Sequence, residues 1–159
     1  MNSLFNLRFL LSFACIFLFA FCGFGQAATE PDFGDYSSET LTTKAWEALN
    51  VKNYKLVLAY TKECLENYEN EALAMQAKLK ALAPAETAAE LWALNDVGTC
   101  LFIQGQAHEG LKKLNLALQD YKKLVTKFSY AQAWDTQGWF WRVSDAAKQR
   151  ISVLEFDVL

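Results

Sequence analysis

From Ala107 to Phe128 the apolar residues recur at alternating steps of four and three: Ala107, Leu111, Leu114, Leu118, Tyr121, Val125 and Phe128. Lys112, Lys113, Lys122 and Lys123 fall off that stripe in pairs. This spacing is that of a helix with one buried and one wet face. It sets the expectation for the whole chain, because similar stripes precede it. Leu41, Ala45, Ala48 and Leu49 form one, with Ser37 and Ser38 as caps and Glu39 in the first turn. Val57, Tyr60, Thr61, Cys64, Leu65 and Tyr68 form a second. Ala72, Met75, Leu79 and Leu82 form a third, set off by polar Asn67–Asn70 and ended by Pro84. Thr87 opens a fourth, carrying Leu91, Leu94, Val97, Gly98, Leu101 and Phe102, with Gly105 as its stop. A last helix is expected around Asp145–Ile151, capped by Ser144. No window alternates with period two, so no strand is expected. The chain has only two prolines and seven glycines, which suits long helices. The fold class read from the sequence is all-α.

Residues 1–27 follow a different rule. Arg8 precedes an apolar run from Phe9 to Phe24, and Gly25-Gln26-Ala27 places small residues at a cleavage site. This is the three-part pattern of a secretory signal peptide, cut after Ala27. Residues 28–36 read as a short linker and 37–159 as the helical domain. Two alternatives attach to this segment. One is an uncleaved N-terminal membrane anchor, although the run is short for a span of ~20 residues. The other is a lipid on Cys22, although Phe21 is bulky where a lipobox wants a small residue. The expected location is therefore exported, periplasmic or secreted.

At 53% hydrophobic and 21% charged residues, the composition is globular. A net charge of −3 gives no basic footprint for nucleic acid. Cys64 and Cys100 sit on apolar stripes and read as buried free thiols, although export permits a disulfide. His108, the lone histidine, is followed by Glu109, but Lys112 stands where a zinc helix has its second histidine. It reads as a surface residue in the first turn of a helix. No nucleophile elbow, phosphate loop or dinucleotide fingerprint is present. No catalytic residue, cofactor or metal is expected.

Part of the chain resembles a tetratricopeptide repeat. Between Leu94 and Leu118, Gly98 stands at the small position of a first helix, Leu101 follows it, and Gly105 marks the turn. Gly110 and Ala117 stand at the small positions of the second helix, with Leu114 between them. Leu41–Leu65 repeats the pattern with Ala45, Val57 and Cys64 around the turn Lys52-Asn53-Tyr54. Trp134, Gly138 and Trp141 reproduce the spacing of a third first helix. The resemblance implies a short solenoid of antiparallel helix pairs whose concave groove holds a peptide or protein partner.

The aromatic run supplies the candidate binding patch: Trp134, Trp139, Phe140 and Trp141. Three consecutive aromatics cannot share one helix face, so at least one is free for a partner or caps the stack. Trp46 and Trp92 are expected in the core or on groove walls. The function expected from the sequence is non-enzymatic protein–protein interaction in the cell envelope. A carbohydrate-associated accessory or hydrolase-related role and a self-associating structural role are the alternatives.

Overall fold

The computed structural model describes residues 30–157. The proposed signal peptide and its cleavage site lie outside them. The described chain forms α1 (Ser38–Asn50), α2 (Tyr54–Lys78), the single turn α3 (Ala85–Ala88), α4 (Trp92–Gly110) and α5 (Leu114–Lys127). A hairpin of β1 (Gln132–Asp135) and β2 (Trp139–Arg142) follows, and α6 (Val143–Asp157) ends it. The protein is mostly helical.

The first helix begins where its cap predicts. Ser37 Oγ accepts the Thr40 amide at 3.2 Å, and Glu39 sits in the positive first turn. Its end carries a repeated device. Lys52 adopts φ 57°, the Lys52 amide reaches Leu49 O at 2.9 Å, and the Asn53 amide reaches Ala48 O at 2.8 Å. These two bonds satisfy carbonyls that the last helical turn leaves open. The same device closes α4: Lys112 at φ 61°, its amide on Glu109 O at 2.9 Å, and the Lys113 amide on His108 O at 2.8 Å. The two turns stand sixty residues apart. In that register Leu41 matches Leu101, Ala45 matches Gly105, Ala48 matches His108, Val57 matches Ala117, Thr61 matches Tyr121 and Cys64 matches Leu124. All twelve are buried. α1–α2 and α4–α5 are therefore two helix hairpins with matching turns and matching buried positions.

The hairpins stack. α2 packs against α1 and α4, and α5 against α4 and α6, while α1 touches α4 and α4 touches α6. So α1, α4 and α6 form one row and α2 and α5 the other. α4 lies in the middle and carries the centre of the core, with Leu94, Val97, Cys100, Leu101 and Ile103 all buried. Phe128, Tyr121 and Leu124 fill it from α5 and its C-terminus.

Several expectations are corrected. The polar residues Asn67–Asn70 do not break the chain. α2 runs through them: Asn67 and Asn70 are exposed on its wet side, where Asn67 donates to Glu63 at 3.0 Å, while Tyr68 packs on Trp92 and Glu69 pairs with Lys123. It ends at Lys78, ahead of Pro84, and Thr87 lies in α3 rather than opening α4. Gly105 does not stop α4, which continues to Gly110. The turn is Leu111–Lys113, so α5 starts at Leu114 and not at Ala107. Trp134, Gly138 and Trp141 are not a helix but a β-hairpin. The Asp135 carboxylate accepts the Gln137 amide at 2.8 Å, and Gly138 takes φ 104°, so a three-residue loop closes two aromatic-rich strands. Nor is Ser144 a cap. Its hydroxyl donates to Ser129 O at 3.0 Å, one residue inside α6.

His108 is also placed differently from the expectation. It lies in the last turn of α4 and is buried. Its Nδ1 pairs with Asp120 Oδ2 at 2.6 Å, and Gln104 donates to the other carboxylate oxygen at 3.1 Å. Burial raises the Asp120 pKa, and the His108 contact opposes that rise.

Cys64 and Cys100 are free thiols with no exposed surface, facing each other between α2 and α4. Burial holds the Cys100 thiol well above its ordinary pKa, and Thr42 Oγ1 lies 3.3 Å from its sulfur. Both are expected to resist iodoacetamide near pH 8 in the native protein and to react fully in guanidinium. Mass spectrometry of the two peptides reads the result. Native labelling would contradict this packing.

Candidate functional site

Residues at helical spacing on α1 and α4 form the floor and sides of one groove. From α1 come Ser38, Glu39, Thr42, Thr43 and Trp46, and from α4 come Trp92, Asn95, Asp96 and Thr99. The sets repeat at three and four residues, so each is one face of its helix. The two faces meet because α1 and α4 are neighbours in the same row. β1 and β2 add the far wall with Gln132, Ala133, Trp134 and Phe140. The groove encloses about 880 Å³ and is open to solvent.

One side chain of α4 hydrogen-bonds the hairpin in place. Asn95 Nδ2 donates to Ala88 O at 2.7 Å, and its Oδ1 accepts the Gln132 amide at 2.9 Å. Gln132 Nε2 donates in turn to Ala83 O at 3.0 Å. The buried amide groups on the groove's inner side are thus occupied in holding the wall.

The aromatic patch read from the sequence is divided by strand alternation. Trp134 pairs directly with Phe140 in the ladder, so both side chains stand on one face. Their rings meet edge to face at 5.0 Å, and that face is the groove wall. Trp141 lies on the opposite face and packs edge to face on buried Phe102 at 5.8 Å. Trp139 shares that opposite face, across from Asp135, and is exposed. Two of the four residues therefore line the groove, one secures the hairpin to the core, and one stands outside. Trp46 and Trp92 are groove walls, and Tyr68 of α2 steadies Trp92 edge to face at 5.7 Å.

Asp96 is the residue that sequence reasoning missed. It sits on the groove side of α4, half-buried, and accepts a hydrogen bond from Ser38 Oγ of α1. Burial raises its pKa, the Ser38 hydroxyl lowers it, the Glu39 charge raises it again, and it settles at about 6. Its neighbours in sequence, Asn95 and Val97, give no sign of this. Only the pairing of α1 with α4 brings Ser38, Glu39 and Asp96 together.

Chemically the groove is an aromatic slot with an acidic floor. Its lining holds Glu39 and Asp96 and, among the described residues, no lysine, arginine or histidine. Nor is any group of three or more histidine, cysteine, aspartate or glutamate side chains placed among them to hold a metal. No family model, curated protein or solved structure matches the chain.

Proposed function

We propose that this protein is an exported, non-enzymatic helical-repeat module that holds an extended segment of a partner protein in the groove between α1, α4 and the β-hairpin. The observation that carries the reading is the groove itself, built from the equivalent faces of two first helices and walled by Trp46, Trp92, Trp134 and Phe140. Exposed tryptophans in a concave site supply large contact area with little ordering cost. Trp92 is 45% exposed and Trp134 59%, so both present free ring surface.

The stacking order supports a tetratricopeptide-like solenoid of two helix pairs closed by α6. The register that supports it differs from the one read in the sequence. It puts Ala45 and Gly105, not Gly98, at the small position of each first helix. Such folds mostly recruit peptides, and that step is analogy. Export rests on the pattern of residues 1–27. Among the described residues no helix is long and apolar enough to cross a membrane.

A photo-crosslinker at Thr43, exposed on the groove rim, is expected to trap one discrete protein in native envelope extract. The same group at Asn115, exposed on α5 away from the groove, is expected not to. Adding Trp92→Ala is expected to abolish the Thr43 adduct. A glycan adduct at Thr43 would favour the carbohydrate-associated reading. A self-adduct would favour self-association, for which exposed Val153 and Phe156 on α6 offer an apolar face.

A further inference from the structure

Among the described residues, other carboxylates held against the core have a basic side chain beside them. Asp120 pairs with His108 at 2.6 Å, Glu69 with Lys123 at 2.7 Å, and Glu109 with Arg150. Asp96 departs from that pattern. Neither it nor Glu39 forms a salt bridge among the described residues, and Asp96's one side-chain partner is the neutral Ser38 hydroxyl. A half-buried carboxylate without a cation costs stability, and a cation brought to it recovers part of that cost. Trp46, Trp92 and Trp134 line the same groove, and the face of an indole ring also attracts cations.

The neutral polar groups of the groove are differently placed. Asn95 and Gln132 are both bound to backbone, Thr42 contacts Cys100, and Ser38 is bound to Asp96. A planar amide free to donate and accept at once is the group that best reads neighbouring sugar hydroxyls. Here the amides are spent, and what remains open is negative charge between aromatic walls.

We infer that the occupant of the groove is a basic peptide segment, with a lysine or arginine side chain lying between the tryptophan walls and its charged end reaching the Asp96–Glu39 floor. The inference rests on the groove reading above and adds the chemistry of the ligand. The aliphatic stem of lysine or arginine suits the aromatic walls, as its charge suits the floor.

The test uses the purified full chain, immobilised, and an N-acetylated, C-amidated hexapeptide library. One position is fixed to each amino acid in turn and the rest are degenerate. Retained peptides are read by mass spectrometry. Lysine and arginine at the fixed position are expected to dominate. Acetyl-lysine, which keeps the stem and loses the charge, is expected to bind about tenfold more weakly or worse. Asp96→Asn is expected to reduce the lysine preference by a similar factor. Rising salt should weaken retention, as for any charge-led contact. Retention without charge preference, or with preference for glutamate, would overturn the inference while leaving the peptide-binding groove intact. Retention of nothing, with tryptophan fluorescence responding instead to a chito-oligosaccharide, would overturn both.

Discussion

Replacing Gly105 with valine is expected to destabilise the protein by about 3 kcal/mol or more, the sign opposite to what helix propensity alone gives. Gly105 lies inside α4, where a side chain ordinarily adds up to ~1 kcal/mol of helical stability over glycine. A Cβ there would stand 2.6 Å from Cζ and 2.9 Å from Cδ1 of Tyr121, well inside van der Waals contact. The ring cannot step aside. It has no exposed surface, it tilts against Phe102 at 5.8 Å, and its hydroxyl donates to Glu109 at 2.6 Å. Burial and the Glu109 carboxylate both hold the phenol protonated as that donor, and Arg150 of α6 grips Glu109 in turn. A larger residue at 105 therefore has to push α5 off α4 and loosen α6 with it. Gly110 makes the contrast. A Cβ there would meet the outer end of Tyr54, which is half-buried and able to swing. Urea melts of Gly105→Val and Gly110→Ala should separate by most of the predicted amount. A Gly105→Val variant within ~0.5 kcal/mol of the parent would refute the close packing of α4 on α5.

The same glycine explains where the sequence was readable and where it was not. Apolar stripes named most of the helical residues correctly, since a stripe needs only local spacing. Boundaries were another matter. Gly105 looks like a helix stop because glycine is the usual residue just past one. Yet it is a packing residue, and the real stop is Lys112 in a left-handed conformation that lysine adopts only at a cost. Displacing that turn by about seven residues moved His108 from a helix end facing the core to a helix start facing water. It also shifted the repeat register. The closer match, Lys52 with Lys112, is visible once the two capping patterns of hydrogen bonds are laid side by side.

The hairpin was hidden for a different reason. Trp139-Phe140-Trp141 alternates in space but not in polarity, because Phe140 lines the groove on one face, Trp141 reaches the core on the other, and Trp139 stands exposed beside it. Period-two reasoning detects strands with one wet face. The useful signal was Asp135-Thr136-Gln137-Gly138, a loop-like insert between two β-favouring runs. Of the groove, the aromatic wall was legible as an unusual cluster. The floor was not, since Ser38 and Asp96 belong to different helix hairpins and meet only through tertiary stacking.

Asp96→Asn is expected to stabilise the unliganded protein near pH 8 by on the order of 2–3 kcal/mol and to change its stability little near pH 4. The sign follows from the proton. The folded protein holds the Asp96 proton to about 6, whereas an aspartate in the unfolded chain releases it near its ordinary value of 3.8. The folded state thus binds the proton more tightly. The stability it confers is fully present below pH 3.8 and is lost as pH rises through about 6. Above that, ionised Asp96 pays its desolvation cost against a neutral partner. Asparagine keeps an oxygen that can accept from Ser38 and never ionises, so it removes the cost and the pH dependence together. Melting curves of parent and variant at both pH values check the difference. Equal stability at the higher pH would mean that Asp96 is solvated or compensated, and the argument for a cation at the groove floor would lose its foundation. A gain confined to the higher pH would identify a carboxylate that the fold carries at its own expense. If Asp96 serves a cationic ligand, the same titration predicts the ligand's pH dependence: affinity should fall as pH drops through about 6, because protonating Asp96 removes the charge the ligand meets.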